Sequence, residues 1–303
     1  MKILISTTTF AEHNKEPLRL LGKHKLDYVL NPYKRRLSED ELIVLFSKSP
    51  YIGLIAGTEP LTRDVLRGAK YLKVISRVGS GVDNINLETA KDLNIKVYNT
   101  PDVLTDSVAE LTIGLMLCCL RKIISMERNM RNRIWRKEMG SLLRGKVLGI
   151  VGLGKIGKRV AELAEAFGAK LIFYDIQTIK PKIFRQVSFP ALLKSADIIS
   201  IHCSSGEELI TKKEISQMKG GVILINTSRG SIINEGDLHN GLRDGKIAYA
   251  ALDVYKTEPY SGRLLSLHNV ILTPHIGSYA REARIKMEIA AVRNLIKGLK
   301  KKR

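Results

Sequence analysis

The sequence predicts an α/β protein with two doubly wound parallel-sheet domains. Short apolar runs of strand length alternate with segments of helical apolar spacing along most of the chain, which is the pattern of parallel sheets covered by helices. A glycine-rich turn lies between one such run and the helix after it, at residues 152–157. The length of 303 residues also suits two domains better than one.

The first half of the chain predicts a parallel α/β domain of its own. Two of its helices begin after residues that commonly cap helices, Ser38 and Thr62. The alternation of strands and helices favours one parallel sheet. Strands are predicted at residues 3–6, 26–30, 51–56, 74–77 and 96–98, and helices at residues 16–21, 38–48, 62–68 and 87–93.

A single long helix is predicted from residue 105 to residue 131. Apolar side chains such as Leu111 and Leu115 recur at helical spacing, and no internal proline or late glycine stops the run. The turn at Thr100 and Pro101 just before it marks the domain boundary. A helix of this length can bridge two domains.

The glycine-rich turn has the spacing of a dinucleotide-binding motif. An apolar strand at residues 146–151 precedes Gly152, Gly154 and Gly157, and helical spacing follows from residue 158 to residue 167. In such a motif the first glycine permits the tight turn, the second lets a pyrophosphate approach the backbone, and the third lets helix and strand pack closely. The second domain is therefore predicted to be of the Rossmann type. A GxGxxG match alone is weak, because glycine turns between strands and helices are common.

Residues around this turn predict NAD as the cofactor. The amides of Lys155 and Ile156 at the helix N-terminus would face the phosphates. A second strand at residues 170–174 ends in Asp175, whose carboxylate can accept from both ribose hydroxyls of NAD and would repel the extra phosphate of NADP. The alternative is that Asp175 only starts a turn.

Further strands complete the second domain, and the last helix is predicted to return to the first. This organisation gives a discontinuous substrate-binding domain, residues 1–98 plus 281–303, and a dinucleotide-binding domain, residues 99–280, with a cleft between them. The additional strands are predicted at residues 198–201, 222–226, 248–252 and 270–272, and the last helix at residues 280–297.

Three residues in the second half of the chain indicate a type of chemistry, namely hydride transfer. Arg229, Glu258 and His275 each lie in a strand end or loop, and ligands of doubly wound sheets bind outside the carboxyl ends of the strands. A cation to hold a carboxylate, an imidazole to move a proton and a carboxylate to orient that imidazole are what hydride transfer at a hydroxyl carbon requires. Without the surrounding motifs, each residue would be read as part of a surface ion pair.

The net charge of +20 permits two interpretations. A basic run at residues 121–144 and a tail at residues 300–303 suggest nucleic-acid binding. No nucleic-acid-binding module is recognisable, however, and only 6% of the residues are aromatic. A solvated basic surface that attracts an anionic substrate and cofactor is favoured, so no nucleic-acid partner is predicted.

Cysteine content and hydropathy predict a cytoplasmic protein without a membrane partner. No run approaches the roughly 18 apolar residues of a membrane span, and the N-terminus reads as a strand rather than a signal peptide. Cys118 and Cys119 are adjacent and Cys203 lies alone, so neither a disulfide framework nor a zinc spacing is present. No metal ion is expected.

Several motifs in order resemble one enzyme family across nearly the whole chain. They are residues 77–84 (RVGSGVDN), 99–101 (NTP) and 109–111 (AEL), followed by the glycine turn and the segments of Arg229, Glu258 and His275. The sequence resembles the D-isomer-specific 2-hydroxyacid dehydrogenases, and is most similar to short D-3-phosphoglycerate dehydrogenases. The resemblance implies oxidation of a D-2-hydroxyacid by NAD, a role in serine biosynthesis, and a homodimer formed through the nucleotide domain.

The resemblance also implies roles for individual residues. Arg229 would grip the substrate carboxylate, His275 would be the general acid and base, and Glu258 would pair with the imidazole and favour its charged form. Asp253 would hydrogen-bond the nicotinamide amide, and His202 matches a histidine near the cofactor edge, although Ser204 stands where the family commonly has proline. The implied cofactor-binding residues are Gly152, Gly154, Lys155, Ile156, Gly157, Asp175, His202, Thr227 and Asp253, and the implied substrate-binding residues are Arg77, Val78, Gly79 and Ser80.

The substrate remains open among related hydroxyacids. Arg77 matches the position at which phosphoglycerate enzymes bind their anionic substrate, which favours 3-phosphoglycerate and phosphohydroxypyruvate; the alternative is a surface charge at a strand end. Tyr279 replaces a usually small residue and would narrow the pocket. The competing functions are a glyoxylate/hydroxypyruvate reductase and, in another class, an NAD(H)-sensing corepressor-like binding protein.

Overall fold

A computed structural model describes residues 2–179, 184–204 and 207–300 of the chain. Three residues of the basic C-terminal tail, at 301–303, lie outside the described residues. The chain divides into two compact units, residues 1–104 with 278–303 and residues 105–277. The corresponding limits predicted from the sequence lie after residues 98 and 280.

The first unit alternates strands and helices along its first hundred residues and is completed by a helix from the end of the chain. Its strands are β1 (Lys2–Ile5), β2 (Asp27–Leu30), β3 (Tyr51–Ala56), β4 (Val74–Arg77) and β5 (Lys96–Tyr98). Its helices are α1 (Glu16–Lys23), α2 (Glu39–Lys48), α3 (Arg63–Gly68), α4 (Leu87–Asp92) and the C-terminal α11 (Arg281–Leu299).

A five-stranded parallel sheet with the order β2-β1-β3-β4-β5 forms the centre of the first unit. Alternate residues of its buried strands face opposite layers of helices, as the strand period of two requires. One face packs against α2, α3 and α4, with Leu4, Leu54 and Ile75 in the shared core. The other face is covered by α11, which contacts β3, β4 and α1.

The second unit begins with helices and continues as a series of parallel strands. Its helices are α5 (Thr105–Arg121), α6 (Ile123–Arg131), α7 (Lys155–Ala166), α8 (Phe189–Ser195), α9 (Lys212–Gln217) and α10 (Glu235–Arg243). Its strands are β6 (Val147–Val151), β7 (Lys170–Tyr174), β8 (Arg185–Gln186), β9 (Ile198–Ile201), β10 (Val222–Asn226), β11 (Ile247–Leu252) and β12 (Val270–Leu272).

The seven-stranded sheet of the second unit has the order β12-β11-β10-β9-β6-β7-β8. Its strand order reverses between β6 and β9, which is the switch point of a Rossmann-type sheet and the place where such folds bind their ligand. Leu224 faces the core beneath α8, α9 and α10, whereas its neighbours Ile223 and Ile225 face α5 and α7. All strand pairs in both sheets are parallel, so the predicted fold class of two doubly wound α/β domains is confirmed.

The prediction of one helix from residue 105 to residue 131 is wrong. The helix is broken at Lys122, which adopts a left-handed backbone conformation with φ of 51°. The carbonyl of Leu120 is left without a helical partner there and accepts a hydrogen bond from the amide of Ser141 at 2.9 Å. The end of α5 is therefore set by the distant segment that contains Ser141. The sequence around Lys122 contains no proline or glycine that would predict the break.

Candidate active site

The glycine turn joins β6 to α7 at the switch point of the second sheet. Gly152 has φ of +92°, and a Cβ added to it would lie 2.8 Å from the amide nitrogen of Cys203. A Cβ on Gly157 would lie 2.1 Å from the carbonyl oxygen of Gly152. At Gly154 an added Cβ meets no atom within 4 Å. Two of the glycines are thus required by the protein's own packing, and the third borders open space.

This open space faces the beginning of α7, where the first amides of a helix have no partner in the helix itself. Lys155 and Ile156 are the first residues of α7, and Gly154 precedes it. Unpaired amides and the helix dipole favour an anion at this position. The residues present therefore fit a cofactor whose pyrophosphate lies against the turn.

The carboxylate of Asp175 is tied to the same turn. It follows β7 and accepts hydrogen bonds from the amide of Leu153 at 2.8 Å and from the amide of Gln177 at 3.0 Å. These bonds fix its position at the carboxyl end of the sheet and leave further lone pairs on both oxygens. A carboxylate held there is suited to accept from the hydroxyls of a ribose.

His202 lies at the end of β9, on the other side of the switch point. Its amide donates to the carbonyl of Val151 at 2.8 Å, and its Nε2 lies 2.8 Å from the hydroxyl of Ser200. The residue keeps partial solvent exposure, but desolvation of the ring lowers the pKa of His202 to about 3. The imidazole is therefore neutral near pH 7.

The structure brings His275 and Glu258 together. Nδ1 of His275 lies 2.9 Å from Oε2 and 3.1 Å from Oε1 of Glu258. The two side chains are partly exposed, at 43% and 34%. Glu258 Oε1 also accepts from the amide of Tyr255 at 3.2 Å, which fixes the carboxylate. The pairing directs Nε2 of the ring away from Glu258, where it can exchange a proton with a ligand.

Asp253 holds the backbone on both sides of His275. Oδ1 accepts from the hydroxyl of Thr273 at 2.6 Å and from the amide of Ile276 at 2.8 Å, and Oδ2 accepts from the amide of Gly277 at 2.8 Å. His275 itself has φ of 54°, a left-handed conformation that is costly for a residue other than glycine. The three bonds to a buried carboxylate stabilise this conformation.

The environment of Asp253 also affects its charge. Burial raises the pKa of Asp253, and the hydrogen bonds from Thr273, Ile276 and Gly277 act in the opposite direction. The same carboxylate was expected to contact the nicotinamide amide. Both of its oxygens already accept bonds from residues 273–277, so any such contact would use the remaining lone pairs.

Arg229 lies just beyond β10, in a segment packed against the segment that carries Glu258. A Cβ on Gly230 would lie 1.9 Å from the carbonyl carbon of Tyr255, so only glycine permits this approach of two backbones. Asn226 accepts from the amide and hydroxyl of Ser228 and donates to the carbonyl of Arg229 at 2.9 Å. The turn that carries the guanidinium is therefore fixed.

The remaining predicted residue of the second unit, Thr227, is buried. Its hydroxyl lies 2.9 Å from the hydroxyl of Thr112 in α5, which in turn donates to the carbonyl of Val108 at 2.7 Å. The predicted residue thus joins β10 to α5, and the structure gives it a packing role whether or not it also meets the cofactor.

The predicted substrate loop of the first unit follows β4. The amide of Val78 donates to the carbonyl of Ala56, and the amide of Gly79 donates to the hydroxyl of Thr100, each at 2.8 Å. In the part of the chain that the structure describes, the amides of Ser80 and Gly81 have no such acceptor. The amides of Ser80 and Gly81, unlike those of Val78 and Gly79, are therefore available as donors.

Arg77 lies over this loop. Its Nη1 donates to the carbonyl of Val78 at 2.8 Å, and a Cβ on Gly79 would overlap the guanidinium. Gly79 has φ of +145°, so the position excludes other residues on conformational grounds as well. The guanidinium is thus held against the backbone of Val78 and Gly79.

Sequence reasoning missed the residues that hold the site in place. The hydroxyl of Ser107 at the start of α5 donates to the carbonyl of Gly277 at 2.6 Å. The hydroxyl of Tyr255 donates to the carbonyls of Leu252 and Thr273 at 3.1 and 2.9 Å. A signal existed for Thr273, because it follows the strand β12 directly. None existed for Ser107, which is 170 residues from its partner.

A separate cavity of about 350 Å³ in the second unit lies at the opposite end of the strands. Lys146, Asp197 and Lys219, which precede β6, β9 and β10, are among its lining residues. The Asp197 carboxylate accepts from Lys219 at 2.9 Å and from the amide of Val147 at 2.8 Å. This cavity contains neither the glycine turn nor the His275–Glu258 pair, so it is not the candidate active site.

Comparison with known proteins identifies the family. Residues 113–277 match the model of the D-isomer specific 2-hydroxyacid dehydrogenase NAD binding domain. Hydroxypyruvate reductase of Thermotoga maritima is 38% identical over 298 residues, which cover 94% of this chain and 92% of that protein. The chain belongs to the D-isomer specific 2-hydroxyacid dehydrogenase family. It is therefore an NAD-dependent dehydrogenase of D-2-hydroxyacids, as the sequence predicted.

Two further relatives extend the comparison. D-3-phosphoglycerate dehydrogenase of Archaeoglobus fulgidus is 36% identical, and the match covers 99% of this chain but 58% of that protein. A crystal structure of a Thermus thermophilus protein superimposes with a TM-score of 0.89 at 34% identity, over 99% of this chain and 97% of that one. In the described part of the chain, no helix is long and apolar enough to cross a membrane, and no cluster of side chains suited to a metal ion is found.

Proposed function

We propose that this dehydrogenase interconverts 3-phosphoglycerate and phosphohydroxypyruvate. The observation that carries the proposal is the position of Arg77, whose guanidinium lies over Gly79 in the loop that also contains Ser80 and Gly81. A loop that offers both a cation and backbone donors suits a substrate with two anionic groups better than glyoxylate, which has one. Arg77 also matches the position at which phosphoglycerate enzymes bind their anionic substrate, which supports the same substrate.

The roles of the other residues follow from their geometry. Arg229, on a turn fixed by Asn226, would bind the substrate carboxylate with two parallel hydrogen bonds and so select which face of the keto carbon reacts. His275 would donate a proton from Nε2 to the keto oxygen during reduction and remove it during oxidation. Bound NAD supplies the hydride acceptor or donor. Glu258 would keep the ring oriented through Nδ1 at 2.9 Å.

Asp253 would act on catalysis through the loop that carries His275. Because Asp253 accepts from the amides of Ile276 and Gly277, it fixes the backbone from which the imidazole projects. We propose that Asp253 also binds the cofactor, together with Gly152, Gly154, Lys155, Ile156, Gly157, Asp175, His202 and Thr227.

A second candidate substrate, hydroxypyruvate or glyoxylate, is favoured by the Thermotoga relative, whose length the match covers almost completely. Steady-state oxidation of NADH with phosphohydroxypyruvate, hydroxypyruvate, glyoxylate and pyruvate separates the two candidate substrates.

We expect Arg77→Ala to raise KM for phosphohydroxypyruvate about tenfold or more and to leave KM for glyoxylate nearly unchanged, since a charge-assisted hydrogen bond contributes roughly 1.5–3 kcal/mol. Arg67→Ala on the exposed side of α3 is the matched control.

An equal rise in KM for both substrates would indicate that Arg77 binds the carboxylate that they share, or that it only stabilises the fold. The phosphoglycerate proposal would then be withdrawn in favour of the second candidate. The absence of turnover with every keto acid, combined with tight NADH binding, would instead favour the corepressor-like alternative.

We also propose that the chain forms a homodimer through its second unit. α6 has no buried residue, and the segment after it exposes large apolar side chains, with Trp135 at 80% and Met139 at 90%. Apolar surface of this extent is typical of an interface. Light scattering would show a mass of two chains, reduced to one by Trp135→Asp and unchanged by Tyr71→Asp, which alters an exposed aromatic residue of the first unit.

A further inference from the structure

The first unit contains a cavity of about 260 Å³ to which the dehydrogenase mechanism gives no role. It lies between the loop that follows β1 and the beginning of α11. The residues that line it supply hydroxyl groups and cations, and no carboxylate is among them. They are Thr9, His13, Tyr279, Arg281 and Arg284.

Arg284 is a fixed cation at this cavity. The residue is buried, with 7% exposure, and its Nε donates to Oε1 of Glu288 while its Nη2 donates to the hydroxyl of Thr7, each at 2.8 Å. Oε2 of Glu288 accepts in turn from the amide of Ala11 at 2.9 Å. Glu288 therefore offsets the charge of Arg284. The bonds from Nε and Nη2 hold the guanidinium in one orientation and leave Nη1 available to a ligand.

Thr9 offers a second polar group. Its hydroxyl oxygen is buried and has no hydrogen-bond partner within the described residues. A buried hydroxyl without a partner costs on the order of 1–3 kcal/mol, so such a group in a native protein calls for an explanation. A ligand oxygen in the cavity would supply the missing partner.

The remaining lining residues add positive charge. Arg281 and His13 are exposed and have no ion pair in the described part of the chain. The aromatic ring of Tyr279 stands 5.7 Å from the guanidinium carbon of Arg284 and closes one side. With Glu288 balancing Arg284, Arg281 leaves a surplus of one positive charge among the lining residues.

We propose that this cavity binds a phosphate group. Guanidinium groups and a hydroxyl match the tetrahedral oxygens of phosphate, and a volume of about 260 Å³ accepts a phosphate or a small phosphorylated acid rather than a nucleotide. The phosphate has two possible sources, the substrate of the enzyme and free phosphate acting as an effector. Binding itself does not depend on the substrate proposed above.

Calorimetric titration of the purified protein with inorganic phosphate, with and without NADH, tests binding directly. We expect saturable binding to the wild type, weakened about tenfold or more by Arg281→Ala and severalfold by Thr9→Val, which preserves the shape of the side chain. Arg281 is exposed and Thr9 is replaced isosterically, so both variants should fold, whereas Arg284→Ala would break a buried ion pair. Arg67→Ala is the control that removes a distant cation.

Kinetics then distinguish the two sources. If the phosphate of the substrate occupies the cavity instead of the loop of Arg77, inorganic phosphate competes with phosphohydroxypyruvate, and Arg281→Ala, but not Arg77→Ala, raises KM for that substrate without changing KM for glyoxylate. If the cavity binds an effector, phosphate changes kcat or KM without competing, and Arg281→Ala removes the response. The proposal is overturned if the wild type does not bind phosphate, or if Arg281→Ala and Thr9→Val both bind it as the wild type does.

Discussion

The two units have similar parallel sheets but differ in the connection between a strand beside the switch point and the helix that follows it. In each sheet, one strand beside the switch point leads into a helix: β1 leads to α1, and β6 leads to α7. Residues 6–15 connect the first pair and contain no glycine, whereas residues 152–154 connect the second pair and include two. The longer loop is held by side chains, among them Arg284 and Glu288, and the short turn is held by backbone contacts at Gly152 and Gly157.

This difference accounts for the two kinds of anion site that we propose. The short turn brings the first amides of α7 directly beyond the end of β6, so the backbone itself can bind the pyrophosphate of NAD. The long loop moves α1 away from the end of β1 and leaves room for guanidinium groups from α11.

The largest expected effect is a loss of turnover when a catalytic side chain of the second unit is replaced. The same kind of replacement in the first unit should have no effect. His275→Ala should reduce kcat by about 10²–10⁴, the usual contribution of a positioned acid and base, while NADH binding is retained. Glu258→Gln should cost less, because the amide still contacts the ring. The control is His24→Ala, a solvent-exposed histidine of the first unit. Unchanged turnover in the His275 variant would remove it from the mechanism.

Glycine substitutions test the short turn next. Gly157→Ala places a Cβ 2.1 Å from a carbonyl oxygen, so we expect a loss of at least about 1–3 kcal/mol in the free energy of unfolding and a large loss of NADH affinity. Gly154→Ala should fold normally and still bind NADH more weakly, because only a ligand would occupy the space. Gly22→Ala in α1, also in open space, should leave NADH affinity unchanged and raise the free energy of unfolding by up to about 1 kcal/mol, because alanine favours a helix over glycine. Normal NADH affinity in Gly154→Ala would contradict the assignment of that space to the cofactor.

Cofactor preference gives a smaller effect. Asp175→Asn keeps an oxygen for the amide of Leu153 but removes the charge that repels the phosphate of NADPH. We expect the ratio of kcat/KM for NADH over NADPH to fall about tenfold. A wild-type preference for NADPH would show that Asp175 was assigned wrongly.

The lowered pKa of His202 predicts that the free energy of unfolding depends modestly on pH. Since the pKa of the folded form is about 3 and that of the unfolded form is about 6.5, the unfolded state binds more protons between these values, and stability falls as the pH falls below about 6.5. Between pH 7.5 and 5.5 the contribution is about 1 kcal/mol. His202→Gln should remove this part of the decrease in denaturant unfolding, and an identical decrease in both proteins would contradict it.

Much of this organisation could be predicted from local sequence. The bounds of β3, β4, β5, β7, β9, β10 and β12 match the prediction, since each is a short apolar run between turn residues. The break at Lys122 could not be predicted, because Ser141 ends the helix from 19 residues away along the chain. The positions of Arg229, Glu258 and His275 followed from motifs, but the Asp253 bonds to residues 273–277 depend on how β11 and β12 pair. The occupied amides of Val78 and Gly79 likewise depend on β3 and Thr100.

One measurement tests the central assignment most directly, namely reduction of NAD by the wild-type protein with the D and L enantiomers of glycerate, 3-phosphoglycerate and lactate. Binding of the carboxylate by Arg229 with His275 on one side of the reacting carbon predicts turnover of at least one D enantiomer and none of its L counterpart. Equal turnover of both enantiomers, or turnover of the L forms alone, would contradict the account.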